Sequence, residues 1–167
     1  HGKNTYHFYD NEIAYGNENE MRKENLNHIR SMLSEHGPLK GSYCVEYEGF
    51  KNIARFIRRG QQRNKRHIVY ILFTIEDTCN GINGADERYE ALGMLEDSVR
   101  VSLRVGDVAT RYSGSQIVAI LVDAKESDAC MVAGRILDEF HNHTGMEQIR
   151  VEYDIQALEE DEPEENH

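Results

Sequence analysis

Apolar positions along the chain fall into two spacings, a helical one and an alternating one, and the switches between them mark out the elements. From Asn19 to His36 the residues Met21, Leu26, Ile29, Met32 and Leu33 recur at roughly helical spacing among Lys, Arg and Glu, and Gly37-Pro38 stops the run; this predicts an amphipathic helix. A second helix is predicted over about Glu46 to Gln62, where Phe50, Ile53, Ala54 and Ile57 follow i, i+3, i+4, i+7 spacing with the arginines turned away. His67 to Ile75 is nearly all apolar, β-branched or aromatic, as in a central strand covered on both faces. Glu76 to Asn83 reads as a loop. A helix follows from about Asp86 to Arg104, with Leu92, Leu95, Val99 and Leu103 as its inward stripe. The segments Asp107 to Tyr112 and Gln116 to Asp123 flank a two-residue Gly-Ser turn, which predicts a tight β-hairpin. Lys125 to His143 carries Ala129, Val132, Ala133, Ile136, Leu137 and Phe140 at helical spacing, and Gln148 to Leu158 alternates as a half-buried strand. This order of elements predicts an α+β fold.

A chain of 167 residues accommodates one compact domain with short extensions. We divide it into an N-terminal extension with a linker helix (1–36), a main domain (37–158) and an acidic tail (159–167) too polar to bury anything and predicted to be disordered. No apolar run approaches the roughly 20 residues that span a bilayer. The start lacks the succession of charged, apolar and small residues of a secretory signal, so a cytoplasmic location is expected. Cys44, Cys79 and Cys130 are odd in number, far apart and without a Cys-x-x-Cys pair, and are expected to be buried thiols in a reducing compartment. A net charge of −11 argues against nucleic-acid binding. The charge is polarised, however: Lys51 to Arg66 holds seven basic residues and no acidic one. That face either is solvated or meets an acidic partner or a nucleotide phosphate.

The candidate chemistry lies at the hairpin, Arg111-Tyr112-Ser113-Gly114-Ser115-Gln116, followed by the apolar run Ile117 to Val122. This stretch resembles the signature hairpin of the GGDEF family, the domain that makes cyclic di-GMP from two GTP, whose tip reads Arg-Tyr-Gly-Gly-Asp-Glu-Phe. Ser113, Ser115, Gln116 and Ile117 stand where the first Gly, the Asp, the Glu and the Phe would be. The likeness runs from about Gly37 to Leu158. Leu39, Gly41 and Phe50 keep the Leu, Gly and Phe of the family's opening segment. The resemblance implies a nucleotidyl-cyclase-like, ferredoxin-like core: a mainly antiparallel sheet flanked by helices, preceded by a linker helix. It also implies an upstream sensor or receiver domain, unless that helix packs on its own domain.

Active members hold two Mg²⁺ between an acidic residue on the first core strand, a neighbouring backbone carbonyl and the acidic residue of the hairpin. An ungapped match of the family's spacing puts the strand carboxylate at Leu72, with Thr74 two further on, and neither is acidic. Gln116 offers an amide oxygen without charge, and Ser115 is weaker still. The resemblance therefore implies a degenerate domain with no catalytic residues, metal or cofactor. The alternative is an active cyclase with a non-standard metal site built on Glu76 or Asp77. Asn80 falls where the family places the Asn that reads guanine. Arg104 and Asp107 keep the spacing of the family's Arg-x-x-Asp inhibitory site, implying cyclic di-GMP as ligand: Arg forks onto phosphate, and Asp accepts from guanine N–H groups. The competing reading makes Asp107 a turn cap and Arg104 an ordinary helix-terminal cation. A protein partner or a second copy of the chain completes the expected partners. His141-Asn142-His143 lacks a third ligand and is read as structural.

Overall fold

The computed structural model of the chain describes residues 2–35, 37–76 and 84–159. It divides into two compact units, 1–39 and 40–167. The first carries one long helix, α1 (Gly2–Leu33). This helix begins well before Asn19, the expected start. No proline interrupts the chain over that span, and an interior glycine such as Gly16 weakens a helix by about 1 kcal/mol rather than ending it. Met21, Leu26, Met32 and Leu33 are exposed on it.

The second unit contains β1 (Tyr43–Cys44), α2 (Tyr47–Asn64), β2 (Ile68–Ile75), α3 (Ala85–Ser102), β3 (Val108–Ser113), β4 (Gln116–Val122), α4 (Glu126–His141) and β5 (Val151–Ala157). The five strands form one sheet in the order β1-β3-β4-β2-β5. Among the described strands only the β1–β3 pairing is parallel. This is the expected α+β layout, with helices packed on a mainly antiparallel sheet. β1 was not among the predicted elements, since two residues carry no period to read. What places it is Gly41. At φ +70°, a Cβ there would lie 2.1 Å from the Arg100 carbonyl oxygen, and that same oxygen accepts the Ser42 N–H at 3.0 Å. Only glycine lets the backbone pass so close to the end of α3.

β2 lies between β4 and β5, and its side chains alternate strictly. Val69, Ile71, Phe73 and Ile75 point at α3 and α4 and meet Leu95, Val99, Ala133, Ile136 and Phe140 in the main core. Ile68 packs with Phe50, Val108 and Ile120 under α2, with Ile53, Ala54 and Ile57 half-buried around them. The expectation that β2 is covered on both faces is therefore corrected. α2 shields one end of the second face and leaves Tyr70, Leu72 and Thr74 half-buried, because a single helix about 10 Å wide cannot cover a five-stranded sheet. The thiols differ from expectation too: Cys44 is half-buried and Cys130 exposed, as α4 turns its Ala129, Val132 and Ala133 stripe inward and Cys130 outward. Cys79 and the tail from residue 160 lie outside the described residues. Among those described, no helix is long and apolar enough to cross a membrane.

Candidate functional site

The hairpin tip and the end of β2 come together through sheet register. Leu72 pairs with Val118 and Thr74 with Gln116. Between Arg111 and Ser113 the β3–β4 register slips by one residue. Such a bulge sets two consecutive side chains on one face: Tyr112 and Ser113 both turn toward the α2 side, with Gln116 and Thr74. There the polar groups satisfy one another. Ser113 Oγ donates to Gln116 Oε1 at 3.1 Å, Gln116 Nε2 donates to Thr74 Oγ1 at 3.1 Å, and the Ser115 N–H reaches Ser113 Oγ at 3.4 Å. The network is neutral throughout.

Below the tip, the uncovered face of the sheet and the edge of α2 border an open cavity of about 470 Å³. Leu72, Val118 and Tyr70 form its floor, Tyr47, Phe50 and Tyr112 its aromatic wall, and Lys51 and Arg55 its rim. Tyr47 and Tyr112 meet edge to face with ring centroids 5.7 Å apart, and the Lys51 ammonium lies 5.3 Å from the Tyr47 centroid. Burial pushes the Tyr70 phenol above its ordinary value, with the Arg58 charge opposing. On the other face of β3, Arg111 pairs with Glu96 of α3 and lies over the Tyr89 ring.

Arg104 and Asp107 stand in the turn between α3 and β3. Asp107 is only 4% exposed. Its Oδ2 accepts the Arg104 N–H at 3.0 Å and its Oδ1 the Val122 N–H at 3.1 Å. Burial raises its carboxyl above the usual range against the pull of these two bonds. The Arg104 side chain is exposed. Glu76 is committed to Arg150, whose Nε lies 3.0 Å away, and His141 Nε2 to the Ile149 carbonyl at 2.9 Å. Asp77 and Asn80 lie outside the described residues.

No protein-family model and no curated protein matches the sequence. Solved structures do. A DGC protein from Thermotoga maritima superposes with a TM-score of 0.58 at 16% identity, over 75% of this chain and 88% of that one. Diguanylate cyclase SiaD of Pseudomonas aeruginosa, in complex with its activator SiaC, gives 0.64 at 17% identity over 90% of this chain and 60% of its own. The GGDEF domain of DgcB from Caulobacter crescentus, in complex with c-di-GMP, gives 0.59 at 10% identity over 75% and 81%. The fold is that of the GGDEF domain. Against this GGDEF fold, the positions that the resemblance assigns to metal carry Leu72 on the cavity floor and, at the tip, the Ser115 hydroxyl and the hydrogen-bonded Gln116 amide. These residues do not fit Mg²⁺, which takes hard, anionic oxygen ligands. Among the described residues, no three His, Cys, Asp or Glu side chains converge as a metal site. Sequence reasoning missed the cavity. Tyr47, Tyr70 and Tyr112 belong to three separate elements, and no linear spacing connects them.

Proposed function

We propose that the chain is a catalytically inactive GGDEF-like signalling domain of a cytoplasmic regulatory protein, acting through contact with a protein partner. The observation that carries this reading is the Gln116 Nε2 to Thr74 Oγ1 hydrogen bond. The hairpin amide of Gln116 is satisfied by the neutral Thr74 hydroxyl instead of presenting charge to Mg²⁺, and Leu72, at the position of the strand carboxylate, is apolar. Phosphoryl transfer needs the cations to neutralise the triphosphate and lower the pKa of the attacking hydroxyl. Action by contact has a parallel in SiaD, which was crystallised with its activator. A turnover assay with GTP and Mg²⁺ tests the reading: no cyclic di-GMP is expected, and its appearance would overturn the proposal.

A second reading makes the domain a receptor for cyclic di-GMP, favoured by the exposure of Arg104 at the surface of its turn. Both Asp107 oxygens already accept backbone N–H groups, so Arg104 would supply the main contact, forking onto phosphate oxygens. Calorimetry with cyclic di-GMP on the native chain and on Arg104→Ala decides. Binding abolished in the variant supports the receptor. Silence with both leaves the interaction module.

A further inference from the structure

We propose that the cavity between α2 and the open face of the sheet is a binding site for a small aromatic carboxylate. Its volume of about 470 Å³ lies within the range of small-molecule pockets, roughly 300–1,000 Å³. Tyr47, Phe50, Tyr70 and Tyr112 present rings from α2, β2 and β3, while Leu72 and Val118 make a flat apolar floor. A planar ring entering there stacks offset or edge-on against these rings. The Tyr47–Tyr112 pair already holds that wall in place, and the bulge is what turns Tyr112 toward it.

Charge selects the head group. Among the described residues no acidic side chain lines the cavity, and both charged side chains that do are cationic, Lys51 and Arg55, one turn apart on α2. Arg55 is exposed and offers a planar fork that a carboxylate matches with two hydrogen bonds. Lys51 holds Glu48 at 2.8 Å, but that acid is 74% exposed, a surface pair that an incoming carboxylate readily displaces. A cation would meet like charge at the mouth, and a neutral ring would leave the fork unused. The cavity geometry carries this inference independently of whether the domain has lost its cyclase chemistry.

The test uses 2-naphthoate and its neutral analogue 2-naphthamide as probes, titrated into the full chain by calorimetry and followed by amide chemical shifts. Saturable 1:1 binding of the naphthoate is expected, about tenfold or more tighter than the naphthamide, with shifts centred on Tyr47, Tyr70, Leu72 and Tyr112. Lys51→Ala/Arg55→Ala removes the two rim cations and, with them, only the surface contacts of Lys51 to Glu48 and the Tyr47 ring; the preference should fall to about threefold or less, with an unchanged urea midpoint showing that the variant folds. Arg63→Ala, on the same helix away from the cavity, should leave it unchanged. Leu72→Asp should weaken the naphthoate more than the naphthamide. Absence of saturable binding, shifts centred elsewhere, or a preference that survives loss of both rim cations would each overturn the proposal. GTP turnover on the same samples would overturn the inactive-domain reading and leave the naphthoate result standing.

Discussion

Asp107 accepts one backbone N–H from its own turn and one from Val122, fifteen positions away. Removing the carboxyl strands both donors inside the fold, so Asp107→Ala should lower stability by about 2–4 kcal/mol in urea unfolding, and Asp107→Asn, which keeps an acceptor, by less. Arg104→Ala, at an exposed position, should stay within about 0.5 kcal/mol. The Arg-x-x-Asp spacing was compatible with a ligand site and with a turn cap. The Val122 contact, which commits the second carboxylate oxygen, comes from a strand that no local pattern links to the turn. Glycines make a similar contrast. Gly41→Ala forces a Cβ to 2.1 Å from the Arg100 carbonyl oxygen at φ +70°, and should cost more than about 2 kcal/mol or block folding. Gly114, at the hairpin tip, has nothing within 4 Å of where a Cβ would go, so Gly114→Ala should change the unfolding midpoint little.

At the scale of elements, α4 displays what periodicity can reveal. Its spacing predicted the inward stripe, and Ile136 is fully buried while Met131 is 69% exposed. Ile136→Ala should therefore cost about 2–4 kcal/mol through lost burial and a residual cavity, against about 0.5 kcal/mol or less for Met131→Ala, both read by chemical denaturation. α2, α3, β2 and the hairpin were equally legible, because amphipathic helices and buried strands repeat their apolar residues at fixed steps. β1 and the bulge at Tyr112 were not. Each depends on pairing with a distant strand, and a one-residue slip reverses the face of every side chain beyond it. Gln61 was also unreadable: a polar residue on α2, it is buried only because its Nε2 reaches the Leu158 carbonyl at 2.8 Å.

For the molecule as a whole, pH offers a test of packing. Burial raises the Cys44 thiol above its ordinary value of 9.0 and the Tyr70 phenol above 10.0. The folded state thus keeps protons that the unfolded chain gives up. This contribution is fully present below the ordinary thiol value and is lost as pH rises through the raised ones. Urea midpoints should hold steady around neutral pH and fall on the alkaline side; Tyr70→Phe and Cys44→Ala should each flatten that fall. The linear chain was sufficient to place α2, α3, α4, β2, the hairpin and β5 and to establish that its hairpin carries Ser115 and Gln116 rather than carboxylates, since residue identity and apolar period are local properties. Folding alone brought Thr74 opposite Gln116, buried Asp107 and assembled three tyrosines around one cavity. Those outcomes depend on register, on a bulge and on how far one helix reaches across a sheet, and such relations exist only between residues remote along the chain.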